Sequence, residues 1–140
     1  MSTEANREAI RRAFVAWRDE GAPIADVFAP EMTWRIEGRS VVAGDYANRQ
    51  EFIDRVLAPF GARFAEGERF RPVRIHALCA DGDTMIVRWD GHGVANDGIP
   101  YDNSCAWFMT LRDGLVIDGT AYFDSIAFDE LWRRCDAAVT

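Results

Sequence analysis

Residues 84–95 read TMIVRWDGHGVA, a stretch that predicts one long β-strand in the 140-residue chain. After its apolar start it places Arg88, Asp90 and His92 at every second position. Because side chains alternate between the two faces of a strand, these three should line one face, about 7 Å apart. The opposite face receives Trp89 and smaller apolar side chains. Such a strand is either a solvated surface strand or one wall of a pocket that has polar groups at its base.

Three more apolar runs of strand length accompany this stretch, at residues 70–80, 101–112 and 115–123. The segments that separate the four runs each contain an Asp-Gly step, which favours a tight hairpin turn. These segments are residues 81–83, 96–98 and 113–114. The pattern predicts an antiparallel meander.

The rest of the sequence has mainly helical periodicity. Ser2 or Thr3 can cap a first helix that runs to Asp19 and ends at Gly21. The other predicted elements are a short helix at 24–28 closed by Pro30, a strand at 32–37, a helix started by Asn48 and Glu51, and a final helix capped by Asp124 or Ser125. Helices combined with a meander predict one α+β domain over residues 1–140, with the helices covering one face of the sheet.

Apolar side chains occur on both faces of the predicted meander, so the face without helices needs a partner. A second copy of the chain is the simplest partner, since soluble oligomers are mostly symmetric homo-oligomers. We therefore predict a homodimer through the outer face of the sheet, with Trp89, Trp107 and Met109 in the contact.

The chain is acidic, with 16 basic and 23 acidic residues and a net charge of −7. This charge argues against nucleic acid as a partner, because nucleic-acid binding draws on Lys and Arg at the phosphates. Three cysteines without a CxxC motif, Cys79, Cys105 and Cys135, predict neither a disulfide framework nor a metal site. They predict buried thiols in a reducing compartment. No apolar run reaches the length of a membrane span, so we expect a cytoplasmic protein that does not bind membranes.

Four segments carry a resemblance to a known family: residues 38–46, 107–114, 121–124 and 128–132. Together with the order of elements, they resemble the SnoaL-like branch of the NTF2-like superfamily, which includes ketosteroid isomerases and limonene epoxide hydrolase. The resemblance implies a cone-shaped α+β barrel, open at one end, in which helices pack on a strongly curved sheet. It also implies an internal pocket for a small hydrophobic molecule, and dimers are common in the family.

The resemblance also suggests an orientation for residues 84–95. Arg88-Trp89-Asp90 is similar to the Arg-x-Asp pair of limonene epoxide hydrolase, which implies that Arg88 and Asp90 face the pocket and that His92 lies nearer its mouth. The remaining functional positions of that enzyme fall on Trp34, Ile36 and Ala121, and those of ketosteroid isomerase fall on Phe14, Ala106 and Ile36. Because these residues cannot perform the corresponding chemistry, ketosteroid isomerase activity is not expected.

Asp90 is the candidate general base, Arg88 its orienting partner and oxyanion donor, and His92 an auxiliary acid. The competing interpretation is structural: a buried carboxylate requires a partner whatever the protein does, and a lone histidine near a strand end is commonly a surface residue. His76 has no assigned role.

Substrate contacts are expected from nine residues: Phe14, Trp17, Trp34, Ile36, Ser104, Ala106, Phe108, Ala121 and Phe123. By strand alternation, Tyr101 and Asn103 are expected on the outer or rim side.

Two functions remain open from the sequence. The first is a cofactor-independent enzyme of isomerase, cyclase or epoxide-hydrolase type, which acts on a hydrophobic metabolite by acid/base chemistry without a metal. The alternative is a non-catalytic ligand-binding, accessory or protein-interaction module on the same scaffold.

Overall fold

The computed structural model describes residues 2–136 and has the predicted α+β architecture, with helices packed on one face of a strongly curled six-stranded sheet. The helical elements are α1 (Thr3–Glu20), a 3₁₀ helix (Ile24–Val27), α2 (residues 49–61) and α3 (Ser125–Arg134). The strands are β1 (Phe28–Ile36), β2 (Gly44–Tyr46), β3 (Arg71–Asp81), β4 (Thr84–Val94), β5 (Pro100–Arg112) and β6 (Leu115–Phe123). Their spatial order is β2-β1-β6-β5-β4-β3, and only the β1–β6 pair is parallel.

The predicted helix ends are confirmed where a capping side chain or a left-handed residue was identified. The Ala5 backbone N–H donates to Ser2 Oγ at 3.1 Å, and Gly21 ends α1 with a φ of 72°. The Glu51 N–H donates to Asn48 Oδ1 at 2.8 Å at the start of α2. Asp124 caps α3 by accepting from two backbone N–H groups. These local interactions satisfy donors that every helix start leaves unpaired.

The segment after α1 differs in detail from the prediction. The short helix is a 3₁₀ turn that ends at Val27, and Pro30 lies inside β1 rather than before it. The β1–β6 register shifts between Phe28 and Thr33. Because proline has no N–H to donate, such an irregular stretch is where a strand tolerates it.

The meander of β3 to β6 is confirmed, with hairpins at the predicted Asp-Gly segments. At the β5–β6 turn both Asp113 and Gly114 have positive φ, 53° and 79°. That combination is the type I′ geometry, whose twist matches the twist of the flanking strands.

The predicted orientation of β4 is wrong. Trp89 turns toward the helices and is 1% exposed, whereas Arg88, Asp90 and His92 lie on the outer, helix-free face of the sheet. The helices cover only one face, and burying the large apolar side chains there is far more favourable than burying an arginine and an aspartate. The strand therefore follows the first interpretation, that of a solvated surface strand.

The same reversal corrects the residues expected in a dimer contact. Trp89, Trp107 and Met109 are all buried inside the single chain. The outer face instead presents Phe108, which is 42% exposed, and Tyr122, which is 48% exposed. A dimer through this face remains a proposal, with different residues in the contact.

Glycines on β4 allow aromatic rings to lie directly on the sheet. A Cβ at Gly91 would lie 2.0 Å from the Phe70 ring, and one at Gly93 would lie 2.7 Å from the Phe64 ring. Gly119 on β6 makes the same room for Trp34, at 2.1 Å. Close packing therefore requires residues without a side chain at these positions.

The cysteine prediction is only partly correct. Cys105 and Cys135 are buried, but Cys79 is exposed on β3. All three are free thiols. Within residues 2–136, no helix has both the length and the apolar character needed to cross a membrane.

Candidate ligand-binding cavity

A cavity of about 540 Å³ lies between the curled sheet and the helices. Its lining comes from α1, the 3₁₀ helix, α2, the loop before β3, strands β1, β4, β5 and β6, and α3. Exposed residues of the lining, among them Asp26, Ala58 and Gly61, define a mouth between the 3₁₀ helix and the end of α2. The sheet provides the floor, and α2 provides one wall.

Aromatic residues are a large part of the cavity lining, and their rings contact one another. Trp34 and Trp107 meet edge-to-face with centroids 5.0 Å apart, and Trp89 meets Trp107 in the same way at 5.2 Å. Trp17 contacts Trp89 at 5.2 Å, and Phe52 stacks on Trp34 at 5.2 Å. Edge-to-face and stacked pairs are favourable beyond simple burial, so these contacts hold the rings in fixed relative positions.

Three residues of the cavity lining each carry a buried hydrogen-bond donor that has no acceptor among the described residues: Trp34 Nε1, Trp89 Nε1 and Arg69 Nη1. Leaving a buried donor unpaired costs about 1–3 kcal/mol. Unpaired buried donors are rare in folded proteins, so each of these three needs an explanation.

Tyr101 and Asn103 also line the cavity, which corrects their expected outer or rim position. The Asn103 amide donates to the Tyr101 hydroxyl at 2.6 Å and to the Asp124 carbonyl at 3.1 Å, and it accepts from the Asp124 N–H at 3.0 Å. These hydrogen bonds of the Asn103 side chain join β5 to the start of α3. Burial raises the pKa of Tyr101, so its hydroxyl stays protonated and can still donate to a ligand.

The Cys105 thiol faces the same cavity but is not suited to nucleophilic chemistry. Burial, with a smaller contribution from the Asp90 charge, raises the pKa of Cys105 to about 12. The thiolate is the nucleophilic form, so this cysteine is an apolar wall residue at neutral pH.

The residues predicted for catalysis lie outside the cavity. Asp90 Oδ2 lies 2.7 Å from His76 Nε2, and Asp90 Oδ1 accepts from the Ser104 hydroxyl at 3.0 Å. The His76 hydrogen bond, followed by the Ser104 hydrogen bond, lowers the pKa of Asp90. His92 pairs separately with Asp102 at 2.7 Å, again on the outer face. Arg88 is not among the hydrogen-bond partners of Asp90.

Sequence alternation missed the His76 contact because β3 is irregular. Residue 75 pairs with Trp89 and residue 77 with Arg88, so His76 is the extra residue of a bulge. The bulge turns its ring to the outer face, beside Asp90. A sequence pattern with period two cannot reveal such an insertion.

Five of the nine predicted contact residues line the cavity: Trp17, Trp34, Ile36, Ala121 and Phe123. Phe14 is fully buried behind the lining, where it packs on Trp89 and Trp107. Ser104, Ala106 and Phe108 are on the outer face, because β5 has the same reversed orientation as β4. The substrate role of the five remains a prediction.

Several lining residues were missed by the sequence interpretation. The apolar stripe of α2 was recognised only as core, yet Phe52, Ile53, Val56, Leu57 and Phe60 all line the cavity. Part of this stripe is a π-helical turn, Ile53–Leu57, a rare geometry that is frequent at functional sites. Asp26 and Arg69 carried no sequence signal.

Comparison with known families agrees with this architecture. A SnoaL-like domain model matches residues 8–119, which is most of the chain. The chain belongs to the SnoaL-like family. No curated protein matches it.

Solved structures similar to this SnoaL-like chain cover nearly all of it. Bal32a, from a soil-derived mobile gene cassette, is 27% identical over 94% of this chain and 98% of its own, with a TM-score of 0.73. An NTF2-like protein from Burkholderia thailandensis E264 is 20% identical over 94% and 98%, with a TM-score of 0.71. TerC, co-crystallised with polyporic acid, is 23% identical over 91% and 97%, with a TM-score of 0.65. The last two show a shared fold only.

Proposed function

We propose that this SnoaL-like chain binds a flat, apolar, ring-containing small molecule that carries a hydrogen-bond acceptor such as a carbonyl oxygen. The observation that supports this proposal is that Trp34 and Trp89, which line the cavity, each have a buried indole N–H without an acceptor among residues 2–136. A ligand carbonyl that displaced the side chains now covering these nitrogens would supply the missing acceptor.

The size and composition of the cavity agree with such a ligand. Small-molecule sites are concave, mostly apolar, about 300–1,000 Å³ in volume and furnished with a few polar groups that orient the ligand. A cavity of about 540 Å³ with an aromatic lining fits that description. Apolar burial would supply the affinity, and the indole donors would favour a carbonyl-bearing ligand over a plain hydrocarbon.

A direct test uses 2-acetylnaphthalene, which has a flat apolar body and one carbonyl, and 2-ethylnaphthalene, which lacks the acceptor. We expect saturable binding of both by isothermal titration calorimetry, with 2-acetylnaphthalene bound more tightly. Ala121→Phe should fill the cavity and weaken both affinities at least tenfold. The matched control is Ala106→Phe on the outer face of the neighbouring strand, which should leave both unchanged. Absence of binding to the wild type would contradict the proposal.

A second candidate is acid/base catalysis on the bound molecule, and one observation favours it: Asp26, an exposed acidic residue, belongs to the cavity lining. Its carboxylate could accept a proton from a carbon next to the ligand carbonyl. The indole donors of Trp34 and Trp89 would stabilise the enolate oxygen, and return of the proton to another carbon would complete an isomerisation. Asp26 thus takes the role that the sequence assigned to Asp90.

Proton transfer can be tested without knowing the natural substrate. We expect the wild type to accelerate exchange of the acetyl protons of 2-acetylnaphthalene in deuterated water, followed by NMR. Asp26→Asn should abolish the acceleration but not binding. The control is Asp54→Asn, which removes an exposed carboxylate of α2 outside the lining. Binding without exchange in the wild type would favour a non-catalytic binding protein.

A further inference from the structure

Arg69 precedes β3 and is a basic member of the cavity lining. Its Nη2 donates to the Arg18 carbonyl at 3.0 Å, and its Nε lies 3.5 Å from where a Cβ of Gly21 would be. The hydrogen bond from Nη2 satisfies one of the carbonyl groups that the last turn of α1 leaves without a partner. Arg69 therefore has one clear structural contact, made by one of its two terminal nitrogens.

The other terminal nitrogen has no such contact. Arg69 Nη1 is buried and has no acceptor within residues 2–136. Nor does the Arg69 guanidinium form an ion pair with any carboxylate in that range, including Asp26 of the same lining. A buried cationic donor without a partner is costly, and helix capping through Nη2 does not explain it.

Arginine is the residue best suited to bind a carboxylate. The N–H donors of its guanidinium group match the two carboxylate oxygens, and its positive charge strengthens the hydrogen bonds. The chain as a whole carries a charge of −7, so its overall field does not attract anions and a local cation is needed. An anionic ligand group beside Arg69 would neutralise the charge, and it would satisfy Nη1 once the side chains that now cover this nitrogen move aside.

We propose that Arg69 anchors an anionic group of the ligand, so that the cavity selects flat apolar molecules that bear a carboxylate or a similarly acidic oxygen. This inference rests on the proposed binding function and adds a ligand class to it. The ring system would occupy the aromatic part of the cavity, with the acidic group toward the end of α1 where Arg69 lies.

The test compares 2-naphthoate with 2-acetylnaphthalene, which have the same rings and nearly the same size but differ in charge. We expect the wild type to bind naphthoate more tightly. Arg69→Gln should weaken naphthoate binding at least tenfold, about 1.4 kcal/mol, and leave the affinity for acetylnaphthalene within about twofold. Arg69→Lys keeps the charge and should restore part of the naphthoate affinity.

The control variant is Arg74→Gln, which removes the same charge from an exposed position on β3, outside the lining. It should not alter either affinity. Equal binding of the two probes by the wild type, or an equal loss of both in Arg69→Gln, would overturn the role of Arg69 while leaving the cavity as a binding site. If neither probe bound the wild type, the proposed function itself would fail.

Discussion

His76 and Asp90 are joined across the β3–β4 pair, with 2.7 Å between His76 Nε2 and Asp90 Oδ2, on the face of the sheet opposite the cavity. Ser104 on β5 donates to the other carboxylate oxygen, so one carboxylate links three neighbouring strands. Asp90, which the sequence predicts to be a catalytic base, therefore connects neighbouring strands on the outer face of the sheet. We therefore expect substitutions of Asp90 to change the stability of the protein and not its proposed ligand binding.

The Asp90 carboxylate should make stability depend on pH in the acid range. Its pKa is lowered in the folded state, so its contribution is present above the unfolded-state pKa, about 3.9, and is lost as pH falls through the lower folded-state pKa. Asp90→Asn should reduce the free energy of unfolding at pH 7 by about 0.5–1 kcal/mol and flatten this acid dependence. Urea denaturation between pH 2 and 7 measures the free energy of unfolding and its dependence on pH, because this range of about five pH units includes the titration of the Asp90 carboxylate.

Ligand affinity provides the discriminating readout for the same variant. Asp90→Asn should bind 2-acetylnaphthalene as tightly as the wild type does. A large loss of affinity would indicate that Asp90 belongs to the ligand site after all. Asp102→Asn is the control, because its carboxylate pairs with His92 on the same face but is 71% exposed. We expect no measurable change in stability from that variant.

Replacing a cavity tryptophan by phenylalanine should separate ring packing from hydrogen bonding. Trp89→Phe removes a buried N–H that has no acceptor in the described part of the chain, so part of the cost of the smaller ring is recovered. We expect an affinity loss of about five- to tenfold for 2-acetylnaphthalene, or about 1–1.4 kcal/mol, but little change for 2-ethylnaphthalene. Trp107→Phe is the control, since its ring lines the same cavity and its N–H is not among the buried unpaired donors. Equal losses for both ligands would indicate packing alone.

Gly91 should be intolerant of even one additional carbon. An alanine Cβ there would lie 2.0 Å from the Phe70 ring, which is partly buried and packs against the core. Displacing that ring should cost about 1–3 kcal/mol or more, measured as a lower midpoint in urea denaturation. Gly61→Ala is the matched control, because a Cβ at Gly61 meets nothing within 4 Å. A stable Gly91→Ala protein would show that Phe70 has another position available.

The outer sheet face should mediate a homodimer. Phe108 and Tyr122 are adjacent exposed rings, with centroids 5.6 Å apart. The same face carries both signs of charge, including Arg88 and Asp90, so it can meet a second copy of itself without a single-sign repulsion. Phe108→Glu should yield a monomer in sedimentation velocity. The control Ile126→Glu, at a 72% exposed position on α3, should leave the assembly unchanged, and a monomeric wild type would contradict the proposal.

Local sequence signals account for most of the secondary structure. Ser2, Asn48 and Asp124 cap their helices because their side chains bond nearby backbone groups, and the Asp-Gly steps form the hairpins between strands β3 to β6. These interactions span only a few residues, so they can be identified without the fold. The family, and with it the α+β architecture, could be recognised from the sequence for the same reason: its segments are contiguous.

Tertiary packing alone decided which face of the sheet is inside. Alternation along β4 places Trp89 on one face and Arg88 and Asp90 on the other, but it does not determine which face the helices bury. The bulge that brings His76 to Asp90 and the arrival of Arg69 at the end of α1 also depend on contacts distant in sequence. The sequence by itself thus determined the elements and their two faces, whereas long-range burial determined which residues surround the cavity.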